Sequence, residues 1–195
     1  TLMTRGIYAP SSLTSLIEAV GGLVGHAIDF PYSPVRLVVL MLPADSGIEH
    51  ITLVLSAAGI SSLVSILTLC LFLVVVRLQE WPGRSGSFNV WVNLPTFDPT
   101  AGGDVVERLE RDARFNIALG FLLPFLTPAV IKAAASTFGS MSLENPQTLI
   151  WTVAAWAFLP GSLFMRGIAM ARIARMIEDK RRKTSAAAEA GIIPV

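Results

Sequence analysis

From Ile51 to Val76 the chain runs for 26 residues without a charged side chain. At about 1.5 Å per residue, a helix over that run is roughly 39 Å long, against about 30 Å for the hydrocarbon core of a bilayer. The pattern predicts a first transmembrane helix over 48–76. A second apolar stretch begins near Phe115 and continues to about Phe138, with Pro124, Pro128 and Lys132 inside it. A third, Thr148 to Met165, carries eighteen residues without a charge, or roughly 27 Å, enough to cross with little tilt. The connection at 139–147 is short, so the second and third helices should be antiparallel neighbours.

Around these spans the pattern changes. In Ser11 to Asp29, Leu13, Leu16, Ile17, Val20, Leu23, Val24, Ala27 and Ile28 recur at helical spacing, while Thr14, Ser15, Glu18, Gly22, Gly25 and His26 fall on the other face. Pro10, Ser11 and Ser12 supply a start signal, and Pro31 and Pro34 a stop. With the short apolar run Val35 to Leu42, this predicts an N-terminal segment, 1–47, made of an amphipathic surface helix and a piece that dips into the membrane face. Glycines at three helix positions weaken that helix. The stretch 77–103 is rich in proline and glycine, which disfavours regular structure. Its interleaved Trp81, Phe88, Trp91 and Phe97 predict a loop that docks on a partner. From Asp104 a capped helix is expected to run into the second span (104–138), with Glu107 three residues beyond the cap and the pairs Glu107/Arg111 and Glu110/Arg114 at i, i+4. Past the third span (148–165), residues 166–195 form a basic helical extension and a compositionally simple tail.

Charge placement orients the threading. Arg77, Arg84, Arg108, Arg111 and Arg114 lie between the first and second spans. Arg166, Arg172, Arg175, Lys180, Arg181, Arg182 and Lys183 follow the third. That puts 12 of the 15 Lys and Arg on one side, so the N-terminus is expected outside and the C-terminus inside, which in an organelle means the matrix or stroma. The seven basic residues of the extension point to anionic phospholipid headgroups; without interleaved aromatics they do not suggest nucleic acid. Overall the chain is 53% apolar and 15% charged, with a formal net charge of +1. Its lone cysteine, Cys70, excludes an internal disulfide and cysteine-rich metal or iron–sulfur sites. The chain begins at Thr1, as removal of an Arg-rich organellar targeting peptide or a trimmed start would each leave it.

Candidate chemistry inside the spans is sparse. Ala57, Ser61 and Ser65 recur every four residues and predict a helix-packing face. Gly120, Pro124, Pro128 and Lys132 share one stripe of the second span. Each proline there removes an amide, leaving the carbonyls of Gly120 and Pro124 in need of a donor. Packing is the expected role of Gly120, Pro124 and Pro128. A small transporter using the Pro124–Lys132 stripe is an alternative, although neither other span offers a partner charge. His26 and His50 both precede the first span, so no haem can be held between spans by histidine, and no catalytic, cofactor-binding or metal-site motif occurs.

The stretch from Asp112 to Phe121 faintly resembles the Asn-Gly-Arg-x-Ala-Met core of light-harvesting chlorophyll-binding helices. It departs from that core at Leu109 and Asp112 and has no second copy, so no family membership is claimed and no chlorophyll ligand is assigned to Glu110 or Asn116. The expectation is therefore an all-α integral membrane protein: three transmembrane helices, an N-terminal amphipathic surface helix and a basic C-terminal helical extension. As a function, the pattern suggests a non-catalytic accessory subunit of a large energy-transducing complex, a respiratory complex or ATP synthase of the mitochondrial inner membrane. Its partners would be other membrane subunits and anionic phospholipid, with structural phospholipid and no catalytic cofactor. An accessory subunit of a thylakoid complex, with pigment or lipid at Asn116, is the other setting.

Overall fold

A computed structural model describes residues 11–43, 45–82, 103–138 and 145–189, and among these there are helices and turns but no strand. The helices are α1 (Ser12–Ala27), α2 (Pro34–Val39), α3 (Ile48–Leu78), α4 (Val105–Phe138) and α5 (Pro146–Glu189). Three of them, α3, α4 and α5, are long and apolar enough to cross a membrane. The capped helix and the second apolar stretch are one helix, α4. The third apolar stretch and the basic extension are likewise one helix, α5.

Local chemistry explains where the helices begin and end. Ser11 Oγ accepts from the Thr14 amide at 3.2 Å, and Ser33 Oγ from the Arg36 amide at 3.0 Å, with Pro34 opening α2. Asn145 Oδ1 accepts from the Gln147 amide at 2.9 Å. Each satisfies an amide that the first helical turn leaves without a partner. At the end of α3, Glu80 takes a left-handed conformation, φ 49°. The Trp81 amide then reaches back to Val76 O (3.2 Å) and the Glu80 amide to Arg77 O (3.4 Å), the paired closure of a Schellman motif.

The chain divides into two compact units. The first is Thr1–Thr68 with Gly120–Ser162. Its core joins Val35 and Val38 of α2, Val54, Leu55, Ala57 and Ala58 of α3, and Leu149, Val153 and Trp156 of α5. The run 35–42, expected to dip into the membrane face, thus places Val35 and Val38 inside the protein. Here α1 meets α3 through glycine. A Cβ on Gly21 would lie 2.6 Å from Ser56 O, and one on Gly25 2.5 Å from Leu55 O, closer than any side chain tolerates. The glycines that weaken α1 as an isolated helix are what let the two backbones approach. Meanwhile Leu13, Leu16 and Leu23 stay 60%, 60% and 75% exposed, while Ile17, Val20, Val24 and Ile28 are half-buried, so α1 packs on protein through its glycines and turns its leucines outward.

The second unit is Leu69–Leu119 with Leu163–Val195. Leu109 and Ala113 of α4 pack on Met170, Ile173 and Ala174 of α5, with Trp81 and Ile177 against them. In this unit α4 and α5 are antiparallel: Asp104 meets Arg181, Asn116 meets Met170 and Ile117 lies against Gly167. Gly167 is a second place of close approach, since a Cβ there would sit 2.9 Å from Ala113 O.

Candidate functional site

Within the first unit the small and proline-rich stripes become specific contacts. Ala57 is buried in the core and Ser61 is half-buried. Ser65 Oγ donates to Ala157 O at 2.8 Å, in the turn of α5 that Pro160 interrupts. Gly120 and Pro128 are buried and Pro124 half-buried. The carbonyl of Pro124, deprived of its helix amide by Pro128, accepts from Trp156 Nε1 at 3.0 Å. Lys132 Nζ reaches Leu40 O at 3.4 Å, close to the last turn of α2. The need for a donor at Pro124 was legible in the chain. Its identity, the buried indole of Trp156, was not, because no pattern links positions 32 residues apart.

The two histidines have separate surroundings. His26 Nδ1 donates to Gly22 O of its own helix at 2.7 Å. His50 Nε2, for which a solvated position would be usual, is buried with no hydrogen-bond partner. Among the described residues no group of three or more His, Cys, Asp or Glu gathers as a metal site would require.

The second unit holds the polar constellation. Of the expected docking aromatics, Trp81 is half-buried against the Leu109–Ile173 cluster; Phe88, Trp91 and Phe97 lie outside the described residues. The seven basic positions of the extension separate into distinct environments. Arg172 differs from its expected role at headgroups, since its Nη1 donates to Val76 O at 2.8 Å and to Trp81 O at 3.1 Å. It thereby adds a charge-assisted pair of bonds to the carbonyl end of α3, where a cation also opposes the negative pole of the helix. Arg181 Nη1 donates to Asp104 Oδ1 at 2.8 Å, and Arg182 pairs with Asp179 on its own helix. Arg166, Arg175, Lys180 and Lys183 are exposed.

Asp104 serves two partners at once. Its Oδ1 also accepts from the Val106 amide at 3.2 Å, capping α4. The Arg181 guanidinium, and after it the Val106 amide, hold this carboxyl below the usual carboxylate range. Of the helix-surface ion pairs expected further along α4, Glu110 and Arg114 meet at 3.5 Å, whereas Arg111 lies 3.7 Å from its neighbour Asp112.

Between the end of α3 and the extension of α5 lies a cleft of about 470 Å³. It is lined by the apolar Trp81, Pro82 and Met176, the cations Arg172, Arg175, Lys180 and Lys183, and the carboxylates Glu80 and Asp179. An arrangement of this kind can hold an anion beside an apolar group; it presents no nucleophile with an adjacent base. No protein-family model matches this chain, and neither a curated protein nor a solved structure matches it.

Proposed function

We propose that this is an integral membrane protein with three spans, N-terminus outside and C-terminus inside, that works as a non-catalytic structural subunit of a large energy-transducing complex, a respiratory complex or ATP synthase of the mitochondrial inner membrane. One observation supports a structural role above the others. Four polar side chains of the long helices are turned onto backbone carbonyls: Ser65 on Ala157, Trp156 on Pro124, Lys132 on Leu40, and Asn116 on Asp112 of its own helix at 2.7 Å. Groups used in this way join or brace helices, and in lipid such bonds are a main means of doing so. Lys132, on which the transport alternative depends, is among them.

Support for the membrane setting comes from the outward apolar faces. Val64, Ile66, Leu67 and Leu71 of α3, Phe121, Leu122 and Val130 of α4, and Trp151 and Phe158 of α5 are all exposed. Surfaces of this extent belong against lipid or a neighbouring subunit rather than water. The basic side sets the orientation and in a mitochondrion would be the matrix face.

Mild detergent extraction followed by native electrophoresis and mass spectrometry tests the subunit reading. The expected result is co-migration with a large membrane assembly. A stable solitary monomer overturns it. Labelling of the two termini tests the threading, which requires them on opposite sides of the membrane.

A further inference from the structure

The cations of the α5 extension divide by what they face. Arg181 and Arg182 are held by Asp104 and Asp179. Arg175, Lys180 and Lys183 have no ion pair among the described residues and line the same cleft. Their spacing puts them on one side of α5 together with Met176 and Arg172, since steps of three, four, seven and eight residues return to the same helix face. Arg172 is committed through Nη1 to Val76 O and Trp81 O, which fixes the Trp81 backbone against α5.

We propose that this cleft is a discrete site for one anionic phospholipid. Its phosphodiester sits among Arg175, Lys180 and Lys183, and its glycerol and first acyl carbons lie against Trp81 and Met176. Charge decides the class of ligand: four cations line the space with two carboxylates, and one of those, Asp179, is already paired with Arg182. The apolar lining decides for a lipid over a free phosphate, because a small hydrated anion gains nothing from an indole and a thioether. Position agrees. The cleft is lined by Glu80, Trp81 and Pro82, just past the end of the charge-free run of α3, and the last turns of that helix carry the exposed Val74, Val75 and Leu78, an apolar surface that acyl chains could follow. The site rests on the membrane reading above but not on any particular complex.

The experiment uses the full chain purified in a neutral detergent, with native mass spectrometry counting bound lipid. The probes are dioleoyl phosphatidylglycerol, dioleoyl phosphatidylcholine and soluble glycerophosphoglycerol. One phosphatidylglycerol should be retained, phosphatidylcholine should not match it, and the soluble headgroup should fail to displace it. The variant R175A/K180A/K183A should weaken retention by about 100-fold, at roughly fivefold per charge near such a headgroup. R166A/R181A/R182A removes the same charge from other surroundings and should change it by no more than about threefold. Equal losses in the two variants would mean diffuse attraction and overturn the site. So would equal retention of phosphatidylcholine, or displacement by the soluble headgroup, which would indicate a phosphate site. As an independent measure in the unaltered chain, brominated-acyl phosphatidylglycerol should quench tryptophan emission, and W81F should remove most of that quenching. Persistence of the full quenching in W81F would overturn the placement of the acyl chain. A chain that binds lipid without headgroup preference would leave the subunit reading standing, whereas one that enters no detergent or bilayer would remove its membrane basis.

Discussion

Each of the two units is held by different physics. In the first, an apolar core around Val54 and Val153 is accompanied by backbone approaching backbone, α1 on α3 across Gly21, Gly25 and Gly59, and by a serine hydroxyl on Ala157 O and an indole on the carbonyl that Pro128 frees at Pro124. In the second, the apolar cluster around Leu109 and Ile173 is accompanied by guanidinium groups on carbonyls and carboxylates. On the membrane reading proposed above, the difference follows the solvent around each segment. Where both the interior and the surroundings are apolar, burying leucine gains little, so packing distance and carbonyl satisfaction decide which faces meet. Caps and an ion pair (Arg36 with Asp29) occur in the first unit as well, but in the second the charged contacts of Arg172 and Arg181 tie one helix to another, at the cost of sensitivity to salt and pH.

The largest expected effect inverts a general rule. A glycine-to-alanine change inside a helix normally stabilises by about 1 kcal/mol. Gly25→Ala would place its methyl 2.5 Å from Leu55 O and should instead destabilise by about 3 kcal/mol, the upper range for overpacking. Gly22→Ala, one position from the crossing at Gly21, meets nothing nearer than Ser56 Oγ at 3.6 Å and should follow the ordinary rule. Thermal unfolding in detergent, with proteolysis of α1 as a second readout, measures both. If the two substitutions behave alike, α1 is not held by close backbone approach. Gly167→Ala, facing Ala113 O, extends the comparison to the second unit and should also destabilise.

Next in size is Arg172→Met, which keeps an unbranched apolar stem and removes the guanidinium with its two bonds to the end of α3. Hydrogen bonds to a charged group are worth about 1.5–3 kcal/mol, and partial solvent exposure places this change toward the lower figure. Arg172→Lys should recover only part of the loss, since an ammonium lacks the planar fork that serves Val76 O and Trp81 O together. Denaturant titration of helicity checks both variants, and equal stability of the two would show that charge alone matters there.

A double substitution isolates the indole bond of the first unit. Trp156→Phe leaves Pro124 O without its donor and should cost about 1 kcal/mol for the bond, beyond any packing change. Pro128→Ala restores the amide that belongs to that carbonyl in an uninterrupted helix. In the Pro128→Ala background the Trp156→Phe change should therefore cost less by about that amount. Strict additivity in such a cycle would separate the tryptophan from the proline.

These contrasts show what could be read from the residues and what could not. Three long apolar helices followed from the charge-free runs, read as 48–76, 104–138 and 148–165, because such runs are a local property of the chain; the structure carries the last of them on as one helix to Glu189. The unmet carbonyl at Pro124 was equally local. The orientation of α1 was harder, since its apolar face is the obvious feature of the sequence, yet the structure leaves Leu13, Leu16 and Leu23 of that face exposed and makes the closest approach at Gly21 and Gly25. Periodicity locates an apolar face without saying whether protein or lipid covers it. The glycine pair four residues apart was the available signal. The separation of Arg172 and Arg181 from the other cations depends on carbonyls and a carboxylate 77 to 96 residues away, and no local pattern carries that information.

The smallest effect belongs to Asp104 and Arg181, and it is the one that salt and acid should reach. The carboxyl is held below its ordinary value, about 3.9 for an aspartate, by the Arg181 guanidinium and then by the Val106 amide. A group whose pKa is lowered by folding stabilises the folded chain above its unfolded pKa, and the contribution disappears as pH falls through the folded value. Between about pH 5 and 8 the contact should thus be pH-independent, and stability should begin to fall only on acidification below about pH 4. Asp104→Asn keeps an acceptor for the Val106 amide and removes the charge, so it should flatten the acid side of the stability curve without loosening the α4 cap. Raising the salt from about 0.1 M to 1 M, which shortens the screening length from about 10 Å to about 3 Å, should shrink the stability difference between the unaltered chain and the Asp104→Asn variant at neutral pH. The same salt change should leave the cost of Gly25→Ala where it was, because a steric clash between a methyl and a carbonyl carries no net charge to screen.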